Sequence, residues 1–250
     1  MVDHADPGRR DATLRLLYDR YWAHRERSGR TPPSPEGIRI VLHVRRGDRS
    51  IVELPDRKLI LHGNRVYEDE VAYQNEIVRL EPDFRHTQTR HYVNVLREIT
   101  AALGTAPASL TVLSDGHGRT LFALIDAVAR GLVQISRSER HHLRRLATQW
   151  RDEMQSLPWQ GPVNRIIGES VADTLRSIDA LATADLVIHD AGGFSRVVHR
   201  LYRHRSDTLI LDSRHFNAAS RSHLREWIER RRNQAARADS RTAPLTSAPR

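Results

Sequence analysis

Cysteine is absent from this 250-residue chain. That excludes disulfides, thiolate metal sites and a cysteine nucleophile, and it fits a reducing, cytoplasmic setting. Lysine is nearly absent as well: Lys58 is the single lysine among 40 basic residues, and the others are arginine. Long apolar runs are missing, with nothing approaching the roughly 18 residues a membrane-spanning helix needs. No integral membrane segment is therefore expected. The opening MVDHADPGRR has no apolar stretch of the kind a secretory leader carries. No G-x-S-x-G, Walker A or G-x-G-x-x-G sequence occurs, so the nucleophile elbow, the P-loop and the dinucleotide fingerprint have no representative. The 14 histidines do not fall into a metal-type spacing: neither His141-His142 nor His86/His91 pairs on one face with a carboxylate. No metal is expected.

What is abundant is positive charge. The 40 basic residues against 31 acidic ones leave a formal charge of +9. Such an excess suits polyanions, whether nucleic acid, anionic lipid headgroups or a nucleotide diphosphate. A GC-rich genome also replaces lysine by arginine freely, so charge alone selects no function. The basic stretch Glu229-Arg230-Arg231-Arg232 lies on a helix that also carries Glu226, which reads as a solvated face. No nucleic-acid partner is expected.

Hydrophobic patterning predicts an α/β chain. Residues 11–27 form a helix with an apolar stripe that includes Leu17, Tyr21 and Trp22, and a Pro/Gly/Ser-rich linker follows over 28–37. IRIVLHV at 38–44 reads as a buried strand, and short strands are expected at 51–54 and 58–61 around Pro55-Asp56. Helices are expected at 89–103, 119–132, 138–155, with Ser136 or Ser138 as N-cap, and 169–183. Further strands are expected at 109–115, 184–190 and 207–212, with helices at 194–203 and 220–232. Alternation of this kind predicts βαβ units and a Rossmann-like parallel sheet with flanking helices. The domain plan is an N-terminal helix and linker over 1–37, a Rossmann-like domain over 38–232, and a disordered polar tail over 233–250.

In parallel sheets ligands bind at the carboxyl ends of strands. Three of those ends carry unusual polar residues. After the first strand stand Arg45, Arg46, Gly47 and Asp48. A guanidinium at a half-buried strand end wants an anion: a diphosphate bound through paired hydrogen bonds, or an acid such as Asp48 in a structural ion pair. After 184–190 come Gly192, Gly193, Phe194 and Ser195. Glycines there let backbone amides approach a phosphate, and equally suit an ordinary tight turn. Ser114 and Asp115 lie where a nucleoside hydroxyl would be met, and are also common helix caps.

These residues resemble a family. His43-Val44-Arg45-Arg46-Gly47-Asp48 is similar to the HxRRGD motif of the α1,2-, α1,6- and protein O-fucosyltransferase superfamily. LTVLSDG resembles its second motif, and LATADLVIHDAGGFSRVVHRL its third, in the family's order. The resemblance implies the donor-binding half of a GT-B glycosyltransferase that transfers fucose from GDP-fucose with inversion and without metal or other cofactor. It implies that Arg45 stabilises the departing β-phosphate, that His43, Arg46 and Asp48 shape the same loop, and that Ser114 and Asp115 face the nucleoside. Gly192, Gly193, Phe194 and Ser195 would hold the diphosphate. Glu53, aligned with a proposed base of the α1,6 branch, is the candidate base; read from the residues alone, it is a hairpin-face glutamate.

The chain departs from the pattern at Gly116, at the Gly192-Gly193 pair and at Ser177, where the α1,6 branch has an acid. Only a helix and linker precede His43, where relatives carry a substantial acceptor domain. The expected partners are therefore a nucleotide-sugar donor, a glycan, lipid-linked sugar or peptide acceptor, and a partner subunit or second copy. The alternatives are a non-catalytic GDP-sugar-binding module or remnant, or a transferase using another GDP-sugar.

Overall fold

The computed structural model describes residues 7–27, 37–44, 49–62, 65–73, 75–76, 89–114, 116–153, 157–167, 170–189 and 208–242. The run IRIVLHV becomes β1 (Ile38–Val44), the middle strand of a five-stranded sheet. Its neighbours are β5 (Ala108–Ser114) and β7 (Leu186–His189), and the outer strands are β6 (Val163–Ile167) and β8 (Leu209–Asp212). The order is β6-β5-β1-β7-β8, and every pair is parallel. A parallel sheet is covered on both faces, which is why the middle of β1, Ile40-Val41-Leu42, is apolar toward both faces rather than alternating.

One face rests on α3 (Thr89–Leu103) and α7 (Ala218–Thr242). Ile40, Leu42 and Val44 pack there with Tyr92, Leu96 and Ile99 of α3 and Leu224, Trp227 and Ile228 of α7. The opposite face meets α1 (Pro7–Arg27) and α6 (Val171–Thr183). Val41, Leu113 and Val187 pack with Leu181 and Ala182 of α6, and Tyr21 and Trp22 of α1 close over them. Asp179 of α6 anchors α1: the Tyr21 hydroxyl donates to it at 2.6 Å, and the buried Arg25 guanidinium pairs with the same oxygen.

Two excursions from neighbouring strand ends build a lobe with its own core. After β1 the chain forms an antiparallel sheet of β2 (Arg49–Glu53), β3 (Lys58–His62) and β4 (Arg65–Tyr67), followed by the short α2 (Glu70–Tyr73). After β5 it forms α4 (Gly116–Ala129) and α5 (Arg137–Glu153). Val52, Leu59 and Leu61 of the small sheet pack against Leu124 and Ala127 of α4. Ser136 is the N-cap of α5, as its reciprocal bonds with Glu139 show.

β4, α2 and β6 go beyond the elements expected from sequence, and α7 continues past Arg232 to Thr242. The helix expected at 194–203 lies outside the described residues. Among the described residues no helix is long and apolar enough to cross a membrane.

Candidate functional site

The sheet reverses its winding between β1 and β7. From β1 the chain moves out through β5 to β6, then returns to the other side of β1 for β7 and β8. At such a reversal the loops leaving the two central strands diverge, and a crevice opens at their carboxyl ends. Register fixes which ends are level. Val44 pairs with Ser114, Leu42 with Ile188, and His189 with Asp212. The ends of β5, β1 and β7 therefore stand side by side, each about 4.8 Å from the next.

Alternation along the strands sorts the side chains at this edge. His43 is a register partner of Leu113, which packs on the α1/α6 face. Ser114 is a partner of Val44, which packs on the α3/α7 face. Both are buried. The two described donor-binding candidates thus share one edge and occupy opposite faces of it. Arg45, Arg46, Asp48, Asp115, Gly192, Gly193, Phe194 and Ser195 lie outside the described residues.

Glu53 is not at this edge. It ends β2, four residues and about 14 Å of strand beyond Arg49. Its carboxylate is largely exposed and stands 3.5 Å from Lys58 Nζ, its register partner on β3. The His142 ring lies 3.0 Å from the Glu53 carbonyl oxygen and packs α5 onto the hairpin. Of the residues near the departure on α6, Ser177 is buried, Asp173 belongs to the N-cap with Ser170 and pairs with Arg176, and Asp179 holds α1. Asp173 and Asp179 are thus already engaged within the protein.

Two residues at the edge escaped the sequence reading. His189 and Asp212 end β7 and β8 as register partners on the same face as His43. Burial pushes the Asp212 carboxyl up, but the His215 ring, the Arg214 backbone N–H and the Arg214 guanidinium outweigh burial and hold it below the ordinary carboxylate range. The Arg214 amide donates to Oδ1 at 2.9 Å, and His215 Nδ1 lies 2.9 Å from Oδ2. The usable signal was a polar residue closing an otherwise apolar strand. Among the described residues no group of three His, Asp or Glu side chains is arranged to hold a metal ion.

The edge offers backbone groups at three neighbouring strand ends and a set of polar side chains divided between two faces. Comparison with protein-family models, with curated proteins and with solved structures finds no match to this chain.

Proposed function

We propose that the chain is the donor-binding half of a fucosyltransferase-like glycosyltransferase, taking GDP-fucose at the carboxyl edge of the sheet. The observation that carries the reading is the adjacency of β5, β1 and β7. Ser-Asp-Gly, Arg-Arg-Gly-Asp and Asp-Ala-Gly-Gly-Phe-Ser leave the sheet from three neighbouring strands, at its winding reversal. A diphosphate lying across the edge is within reach of all three segments.

In this reading an acceptor hydroxyl attacks C1 of the sugar from the face opposite the leaving GDP. The C1–O bond breaks, its electron pair goes to the β-phosphate, and the acceptor proton passes to a base. Negative charge grows on the phosphate, so fixed positive groups aimed at it speed the step. Arg45 is assigned that role. Glu53, the candidate base, lies away from this edge in a pair with Lys58, so the reading assigns the proton to no residue among those described. That pairing also favours a second reading, a module that binds GDP-sugar without transferring it.

A thermal-shift panel of GDP, GDP-fucose, GDP-mannose and UDP-sugars tests the proposal. A native-state ligand at a hundredfold excess over its Kd adds about 2.7 kcal/mol of stability. GDP and GDP-fucose are expected to raise Tm, UDP-sugars are not, and Arg45→Ala is expected to abolish the rise while melting normally without ligand. Binding without sugar transfer or donor hydrolysis selects the module. A Tm indifferent to every guanine nucleotide defeats both readings.

A further inference from the structure

A cleft of about 210 Å3 opens beside β8, one strand further out than β7, between α3 and the start of α7. Ser213, the first residue after β8, lines it. Ser213 is 2% exposed, and its hydroxyl has no hydrogen-bond partner among the described residues. Burial without a partner costs stability, so such a hydroxyl calls for an explanation. Its backbone is not at fault: the Ser213 N–H donates to the His189 carbonyl at 2.9 Å.

Charge supplies the second strand of the argument. Arg97 of α3 lines the cleft and has no ion-pair partner among the described residues. Arg221 of α7 lines it too, with its Nε 3.5 Å from Glu98. The same Glu98 is shared with Arg225 at 3.6 Å. Two guanidiniums thus share one carboxylate, and Arg97 adds a third positive charge to the cleft lining. The amino end of the long helix α7, capped by Asn217 through the Ser220 N–H at 3.1 Å, adds positive potential from the same side. Phe216 gives one wall an apolar surface.

We propose that this cleft binds the oxyanion group of a small ligand, a phosphate or a carboxylate, with Ser213 and Arg97 as its direct donors and Arg221 completing the cradle. The cleft opens at the β8 end of the same carboxyl edge, two strands away from β1, and the proposal stands whether or not the sugar-nucleotide reading holds. The anion accepts from the Ser213 hydroxyl, which has no partner among the described residues, and balances the arginine excess.

Inorganic phosphate is the probe, titrated at constant pH and ionic strength against chloride, with acetate as the carboxylate arm. The ring signal of His91, which also lines the cleft, is the local NMR reporter and is assigned with His91→Gln. All titrations are repeated in Arg45→Ala, so that anion binding after β1 does not enter the readout. Phosphate, acetate or both are expected to move the His91 signal saturably, and which of them does so names the oxyanion. Ser213→Ala and Arg97→Gln are each expected to weaken the apparent Kd about tenfold or more, as loss of a hydrogen bond to a charged group does. Ser213→Ala keeps the backbone bond to His189, and without anion it is expected to melt no lower than the parent. A His91 signal unmoved by both anions, or moved equally in the parent and both variants, overturns the site.

Discussion

At the scale of single residues, Glu53 and Glu139 of the lobe show how context decides what a carboxylate does. Glu139 is buried at the third position of α5 and accepts from the Ser136 N–H at 2.7 Å and from Arg57 Nε at 2.9 Å. The Ser136 hydroxyl in turn accepts from the Glu139 N–H at 3.2 Å, closing a capping box. The Arg57 hydrogen bond first, and the Ser136 amide second, hold the Glu139 carboxyl down at about 2. A carboxyl lowered by folding adds stability above its unfolded value of 4.5, and that stability is lost as pH falls from there toward 2. Glu139→Gln is expected to cost about 2 kcal/mol in urea unfolding at neutral pH. It should also flatten the acid limb, so that the parent and variant stabilities converge near pH 2. Parallel acid limbs would mean that the Arg57–Glu139 pair contributes nothing. Glu53 is the opposite case. Its exposed pair with Lys58 is of a kind that contributes about 0–1 kcal/mol. Substitution there probes chemistry with little cost to the fold.

At the scale of elements, strands with strong apolar runs were legible and those without were not. β1, β5, β7 and β8 fall within two residues of the expected runs because both faces of each are covered. β6 was missed because it is an edge strand whose middle residues, Asn164 and Arg165, face solvent. α7 was expected to stop at Arg232 because the following residues are polar, yet Gln234, Ala235, Ala236 and Arg237 are good helix formers and carry it on to Thr242. The need for glycine just before β1 was not legible, because it depends on a contact distant in sequence. Gly37 has φ +116°, and a Cβ on it would lie 2.3 Å from the Pro107 carbonyl oxygen, which accepts the Ile38 N–H at 3.0 Å. The obstacle is backbone that seats both β1 and β5, so no side-chain rotation relieves it. Gly37→Ala is expected to destabilise by about 3 kcal/mol. Gly131→Ala provides the control: φ is positive there too, at +72°, but the position is open, and only the smaller conformational cost of about 1 kcal/mol is expected. Equal urea midpoints for the two variants would show that the Pro107 contact is not what requires glycine at 37.

At the scale of the whole molecule, the strands that meet at the carboxyl edge were legible one by one, while their order in the sheet is a property of the assembly. Each polar strand end could be read locally; that β5, β1 and β7 are neighbours is a matter of strand order, which no local pattern encodes. The arginine excess was equally opaque, and part of it is architectural. Arg39 grips Asp185 through Nε at 3.0 Å and Nη2 at 3.2 Å, Arg231 approaches the same carboxylate at 3.5 Å, and Arg232 donates to the Leu103 carbonyl at the end of α3 at 2.7 Å. The closure of the second face by α1 is another assembly of this kind. It turns on Asp179, a carboxylate that receives both Tyr21 and Arg25. Burial, and then the hydrogen bond to Asp179, push the Tyr21 phenol up to about 12. A phenol raised by folding stabilises fully below its unfolded value of 10.0, and the contribution is lost as pH climbs from there to about 12. Ultraviolet titration of the phenols should therefore show one group ionising near 12, absent in Tyr21→Phe. Asp179→Asn should move that step down toward 10.0 and, because Asp179 is half-exposed, cost about 1–2 kcal/mol rather than the full penalty of a buried pair. A phenol step unmoved by Asp179→Asn would mean that burial alone raises Tyr21, and that α1 is held to the sheet by its apolar face without help from the carboxylate.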